Sequence, residues 1–237
     1  MAGYSFYRLE DYFDLYRQGV KPVGNFVILR HDVDRKPGFA LETAKLEQGV
    51  NIRASYYFRI VKESFHEPVI QQIAVMGHEI GYHYEELSLC RGNEEKAIRD
   101  FEMHLKKIRE FYPVKTMCMH GSPLSKWDNR CLWERFDYKS YGIIAEPYFD
   151  LDFTDIVYLT DTGRQWDNRK ANIRDRVDQQ WNGSFRATKD IISAVEKQEF
   201  PVRVMMGSHP ERWTDKPLPW LKQLLWQKTK NVIKRFI

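Results

Sequence analysis

The carboxylates and imidazoles of this chain gather at the ends of apolar runs. Phe26-Val27-Ile28 leads into Leu29-Arg30-His31-Asp32-Val33-Asp34, and Pro37-Gly38 closes the stretch. An apolar run, then acids, then a turn predicts a buried strand that delivers charge to the mouth of a sheet. Asp32 and Asp34, two residues apart on a strand, point to the same side. Like charges that close repel one another, and a bound cation relieves them. His83, His120, Asp161 and His209 end other predicted strands, whereas His66, His78 and His104 fall on loops or helical segments. Carboxylate and imidazole together suit zinc or another borderline divalent ion. With one coordination position open, such a site activates water, and a neighbouring carboxylate accepts the proton during attack on a carbonyl. The plain alternative is that strand ends are polar because they meet water, with Asp32 and Asp34 paired to Arg30 and Arg35.

Strands and helices alternate along the chain. A helix is expected over 4–18, one from Pro37 to Gln48 ended by Gly49, one over Pro68–Met76, one over Asn93–Phe111 and one over Asp190–Lys197. The stretch Asn93–Phe111 carries apolar residues at 97, 98, 101, 105, 108 and 111, a helical period with charge on the opposite face. Strands are expected over 53–60, 78–84, 114–119, 141–145, 155–160 and 202–206. Alternation of this kind implies a mostly parallel sheet, open or closed into a barrel, whose ligands bind beyond the carboxyl ends of the strands. The α/β reading therefore places Asp32, Asp34, His83, His120, Asp161 and His209 at one end of one sheet.

Bulk properties set limits. The 237 residues suffice for one large α/β domain, and 43% hydrophobic with 14% aromatic residues is the composition of a packed core. The net charge of +4 permits an anionic partner without requiring one. Nucleic acid is not expected, because no motif gathers the positive charge. Three cysteines, at 90, 118 and 131, form no CxxC pair, which argues against a disulfide framework and a zinc knuckle. No run is long enough to span a bilayer, and Met1–Glu10 lacks the layout of a signal peptide; a cytoplasmic location is expected.

The motifs resemble those of the polysaccharide deacetylase (NodB-homology) family, as a divergent branch. Gly77-His78-Glu79-Ile80-Gly81-Tyr82-His83 is similar to the family's segment ending in a metal-binding histidine, and His31-Asp32-Val33-Asp34 to its aspartate motif. Met119-His120-Gly121-Ser122-Pro123, Asp161-Thr162-Gly163-Arg164-Gln165-Trp166 and Gly207-Ser208-His209-Pro210 stand where the family has its later motifs. The matches keep the family's order over roughly residues 26–213. The resemblance implies a deformed (β/α) barrel. One domain is expected over 1–237, with a barrel core over 20–215 and a basic amphipathic helix over 216–237. It implies Asp32 as general base, His209 as general acid, and Asp34 and His83 as ligands of a divalent ion, zinc first. The family's second metal histidine falls on Leu87, so the third ligand is sought in Glu86 or His120, with His120 preferred. The arginine that orients the family's base is also missing from 119–123, leaving Arg30 or Arg164 for that task. His31, Glu86, Asp161, Arg164 and Trp166 are expected to bind substrate, and Trp127, Trp166 and Trp213 to stack on sugar faces.

On these grounds the expected reaction is hydrolysis of an N-acyl group, acetyl or formyl, from a sugar. A nucleotide- or lipid-linked precursor of a surface polysaccharide is the expected substrate. Two other readings are a catalytically inactive carbohydrate-binding relative and a metal-dependent amide or imide hydrolase. The tail Trp220–Ile237 interleaves tryptophan and leucine with lysine, which suggests peripheral contact with the inner face of a membrane. Its plain reading is a helix packed on the barrel.

Overall fold

β-branched and aromatic residues build the strands, and their alternation divides them between two faces of one sheet. The computed structural model describes residues 3–122, 125–164, 166, 174–214, 216–218 and 220–225. Its elements run β1 (Ser5–Tyr7), α1 (Leu9–Arg17), β2 (Phe26–Val33), α2 (Pro37–Gly49), β3 (Ser55–Phe58), α3 (Glu67–Val75), β4 (Glu79–Tyr84), α4 (Glu86–Leu89), α5 (Glu94–Ile108), β5 (Met117–Met119), α6 (Pro147–Asp150), β6 (Val157–Thr160), α7 (Thr188–Glu196) and β7 (Arg203–Ser208). The strands pair in parallel throughout, in the order β5-β4-β3-β2-β7-β6. β1 and β3 share one edge of β2: β1 pairs with Phe26–Ile28 and β3 with Arg30–Val33.

Even-numbered residues of β2 point inward. Phe26 and Ile28 meet Tyr57 of β3, Cys118 of β5, Tyr158 of β6 and Met205 of β7 in one buried cluster. Side chains from such distant strands meet only if the sheet curls, and it does so as a deformed (β/α) barrel. The outer face is covered by helices: Ala40 and Ala44 of α2, Ile70 and Ile73 of α3, and Phe101 and Leu105 of α5 pack on Tyr56, Phe58, Ile80 and Tyr82. α5 begins at Asn93, whose side chain accepts the Lys96 N–H at 3.0 Å.

Large side chains cross the barrel over two inward glycines, closely enough at Gly81 to exclude any Cβ. A Cβ on Gly81 would lie 2.2 Å from the Tyr57 ring, and one on Gly207 would press on Arg30 at 3.2 Å and the Tyr158 hydroxyl at 3.3 Å. The free edge of β6 is covered by a side chain: Tyr158 N donates to Gln179 Oε1 at 2.7 Å, and Gln179 Nε2 donates to Tyr158 O at 3.4 Å.

Two expected elements differ. Residues 4–18 are a strand followed by a helix, because Ser5–Tyr7 finds a partner in β2 while Leu9 and Phe13 give the following turns a buried face. The strand expected over 141–145 shrinks to one bridge, Thr116 to Ala145, since Gly142 is left-handed at φ 72° and ends a 3-10 turn. Of the basic helix expected over 216–237, residues 226–237 lie outside those described; 217–225, apart from 219, are helical.

The closed end of the barrel stores a pH dependence. Glu79 is fully buried, where it accepts hydrogen bonds from Ser55 Oγ at 2.6 Å, Glu10 N at 3.0 Å and Thr116 Oγ1. Burial, with neighbouring Glu10, pushes its carboxyl from 4.5 up to about 7. A raised carboxyl binds more protons folded than unfolded between those values, so stability falls as pH rises from 4.5 to about 7. The linkage amounts to roughly 3 kcal/mol. Chemical denaturation across that range is expected to show the loss, and Glu79→Gln to flatten it.

Candidate metal centre

The open end of the barrel collects the strand-end residues. Asp34 follows β2, His83 lies within β4, and His120 follows β5, so three loops or strands distant in sequence supply three donors. His83 Nε2 lies 3.5 Å and His120 Nε2 3.4 Å from Asp34 Oδ1, with the two rings edge to face at 5.1 Å. One ligand atom from each of the three falls within 4.8 Å of the others. Each imidazole is fixed through its other nitrogen. His83 Nδ1 donates to Cys118 O at 2.8 Å, and His120 Nδ1 donates to Glu85 Oε2 at 2.9 Å. That leaves both Nε2 atoms aimed at Asp34, whose Oδ1 is buried and accepts no hydrogen bond. A buried, orphaned carboxylate oxygen facing two oriented imidazoles fits a divalent cation.

Electrostatics keep the acidic groups of the site ionised. Burial alone would raise the Asp34 carboxyl, but His120, His83 and His209 around it keep it well below the usual range. Burial would also raise Glu85; its bond to His120 and its contact with Arg59 bring it down to about 2. Arg59 Nε donates to Glu85 Oε1 at 2.6 Å, and its Nη1 donates to Asp34 O at 3.1 Å, tying two of the loops together. Glu85→Gln is therefore expected to weaken metal affinity by about 10–100-fold, the usual cost of losing a partner behind a ligating histidine. Competition against a chromophoric chelator measures it.

Asp32, His83 and Cys118 form a second set with donors within 4.8 Å. Burial pushes the Cys118 thiol well above its ordinary value, against the lowering effect of Arg30, so a thiolate is costly there. A cation would also sit close to the Arg30 guanidinium. The Asp34 set is the better one.

Beside it, Asp32 and His209 are held differently. Arg30 Nη2 donates to Asp32 Oδ2 at 3.0 Å, and Asp32 Oδ1 is buried without a hydrogen bond. Arg30 is fully buried, also donating to Tyr158 Oη at 2.8 Å, 5.5 Å from the ring centroids of Tyr148 and Tyr158. Behind it, Asp175 Oδ1 accepts from both tyrosine hydroxyls at 2.5 Å and lies 4.0 Å from Arg30 Nη2. Arg174 binds the carbonyls of Gly121 and Ser122 at 2.9 and 2.7 Å, and so ties the His120 loop to the same segment. His209 Nδ1 donates to Asp161 Oδ1 at 2.6 Å, which turns its Nε2 toward Asp34 Oδ2, 3.9 Å away. Burial and Arg212 lower the His209 pKa, but Asp161 and Asp34 outweigh them and raise it to about 9.

Of the residues expected in the site, Asp32, Asp34, His83, His120 and His209 converge. His31 does not: an odd position of β2, it faces outward, where it binds Ser208 Oγ at 2.8 Å and Glu47 Oε1 at 2.6 Å beneath α2. Glu86 is turned away as α4 begins and bonds Tyr82 and His104; Leu87 is core. Asp161 is buried behind His209, bonded also by Arg212 and by Trp213 Nε1 at 2.8 Å, and has no face for substrate. Trp166 is buried, its Nε1 donating to Thr188 Oγ1. Arg164 reaches Gln223 and Trp220 rather than Asp32, so Arg30 is the arginine that holds Asp32. Glu85, Asp175, Tyr148 and Tyr158 went unread. Glu85 differs from Glu86 only by lying one residue nearer the strand, and Asp175 sits in an irregular segment with no periodicity to mark it.

No family model matches the chain, and no curated protein matches it. Its structure is similar to that of solved CE4 proteins, the polysaccharide deacetylase group. With a Streptococcus mutans CE4 esterase it shares 13% identity over 94% of this chain and 87% of that one, at a TM-score of 0.49. With a peptidoglycan N-acetylglucosamine deacetylase it shares 17% over 86% and 82%, at 0.44. With a CE4 family pseudoenzyme from Bacillus anthracis it shares 12% over 89% of this chain, at 0.46, and spans 63% of that chain.

Proposed function

We propose that this protein is a metal-dependent hydrolase that removes an N-acyl group, acetyl or formyl, from an amino sugar or sugar conjugate. The observation that supports it most is the orphaned Asp34 Oδ1 facing two imidazoles whose remaining nitrogens are already engaged. The acylated sugar comes from the motif resemblance, and the site chemistry is compatible with it.

Asp34, His83 and His120 would hold the ion, zinc best suiting the N and O donors. When bound, it supplies Lewis acidity toward the acyl carbonyl and lowers the pKa of water. Asp32 is placed to take the water's proton: Oδ2 is fixed by Arg30 while Oδ1 remains uncommitted. As the C–N bond breaks, the departing nitrogen needs a proton. His209, its Nδ1 held by Asp161 and its imidazolium favoured at neutral pH, offers one from Nε2. The water oxygen ends in the carboxylic acid and the nitrogen leaves as an amine. Base and acid thus flank the cation site, each oriented by a buried partner of opposite charge.

Acetate or formate release from N-acetyl and N-formyl amino sugars, free, nucleotide-linked and lipid-linked, tests the reading. Release that stops on chelation and returns with zinc is the expected result. No release from any of them by the zinc-replete protein contradicts it.

A further inference from the structure

We propose that a cleft beside β1, at the closed end of the barrel, is a second binding site and takes a neutral saccharide. A cavity of about 700 Å³ opens there between β1, the end of α1 and the turn from α2 into β3. That volume lies within the range of small-molecule sites, roughly 300–1,000 Å³. Its place follows from the sheet. β1 pairs with Phe26–Ile28, the start of β2, and β3 joins the same edge further along, from Arg30. Asp34 follows the other end of β2, so the cleft and the candidate metal centre lie at opposite ends of the barrel.

The lining matches the two kinds of surface that a sugar ring presents. Phe6, Leu15 and Ile52, all half-buried, form an apolar wall against which the C–H face of a ring can rest. Tyr7 Oη, the side-chain amides of Gln18 and Asn51, and the Arg53 guanidinium have no hydrogen-bond or ion-pair partner among the described residues. A phenol and two amides both donate and accept, as a rim of hydroxyls requires, and a guanidinium fork spans neighbouring oxygens. Arg53 lies across Gly77, where a Cβ would come within 3.1 Å of its Nε, so the glycine leaves room for the guanidinium. A bare ion would use Arg53 or a carboxylate and leave the apolar wall and both amides without a role.

Charge favours a neutral ligand. The cleft contains Asp11 and Asp14, and both are engaged. Arg8 donates to Asp11 through Nε at 2.7 Å and Nη2 at 2.6 Å, and Lys115 Nζ donates to Asp14 Oδ2 at 2.9 Å. Arg8 also meets Glu10 at 2.9 Å. Three acids, Glu10, Asp11 and Asp14, thus stand against three cations, Arg8, Arg53 and Lys115. The balance leaves no net field to draw an anion or a cation, and what remains is hydrogen bonding and apolar contact.

Calorimetric titration of the full chain tests it, with unacylated neutral oligosaccharides of glucose, galactose and mannose as probes and trigalacturonate as the charged control. Saturable binding of at least one neutral sugar is expected, little changed by salt or by a chelator. Arg53→Gln/Gln18→Ala should weaken it by about tenfold or more, and Tyr7→Phe by about threefold. Both variants should melt like the parent, since none of these polar groups has a partner in the fold. No saturable binding of any neutral probe overturns the proposal. So does tighter binding of trigalacturonate, which would mark an anion site. Neutral-sugar binding that a chelator abolishes, or that ignores both variants, would belong to the metal centre or elsewhere and also overturns it.

Discussion

Asp32→Asn is expected to slow acyl release by about 10²–10⁴-fold, the usual range for a positioned general base, with zinc uptake unchanged. Asparagine keeps the shape and still accepts from Arg30 through its carbonyl, but its amide cannot take a proton. Zinc uptake should survive because the better ligand set, Asp34, His83 and His120, does not include Asp32. Steady-state kinetics on zinc-loaded variant and parent, with metal content measured on the same samples, separates the two effects. A similar fall in rate accompanied by lost zinc would instead make Asp32 a ligand, as in the deeper set with Cys118.

Arg30→Met should cost stability on a large scale. Arg30 is fully buried and its charge is balanced by Asp32 at 3.0 Å and Asp175 at 4.0 Å. Removing one partner of a buried ion pair leaves the others charged and uncompensated, a loss of about 3–5 kcal/mol. For a chain of this size that corresponds to a melting point lower by roughly 6–20 °C. Arg30→Lys should recover only part of the loss, since Nη2 makes both bonds, to Asp32 Oδ2 and to Tyr158 Oη, and the shorter lysine stem must bring its ammonium to that one point. Thermal unfolding of both variants provides the check; a melting point within a degree or two of the parent would show that the charges are not coupled as the distances imply.

The two cases also show what could be read before the fold was known. Asp32 and Asp34 were legible because an apolar run ending in acids is a strand end, and their period of two put them on one side. The same period assigns Arg30 to the inner face and His31 to the outer. Three charged or polar residues in a row, Arg30-His31-Asp32, carry no apolar pattern to say which face is which, so the sequence alone puts His31 in the site and leaves Arg30 between two roles. Tertiary closure decided both: Tyr148, Tyr158 and Asp175 enclose Arg30, while α2 brings Glu47 onto His31. His120 could be weighed against Glu86 because a strand end needs less backbone distortion than a turn. Glu85 could not be told from Glu86, since only the start of α4 separates their directions.

Titration of metal-stripped protein with zinc, followed by calorimetry and repeated with cobalt followed by visible absorption, bears most directly on the cation site. One equivalent should bind, with a cobalt spectrum typical of mixed nitrogen and oxygen donors, and Asp34→Ala, His83→Ala and His120→Ala should each lose it. No saturable uptake by the parent, or uptake unchanged in Asp34→Ala and His120→Ala, would contradict the assignment of these three side chains to one ion.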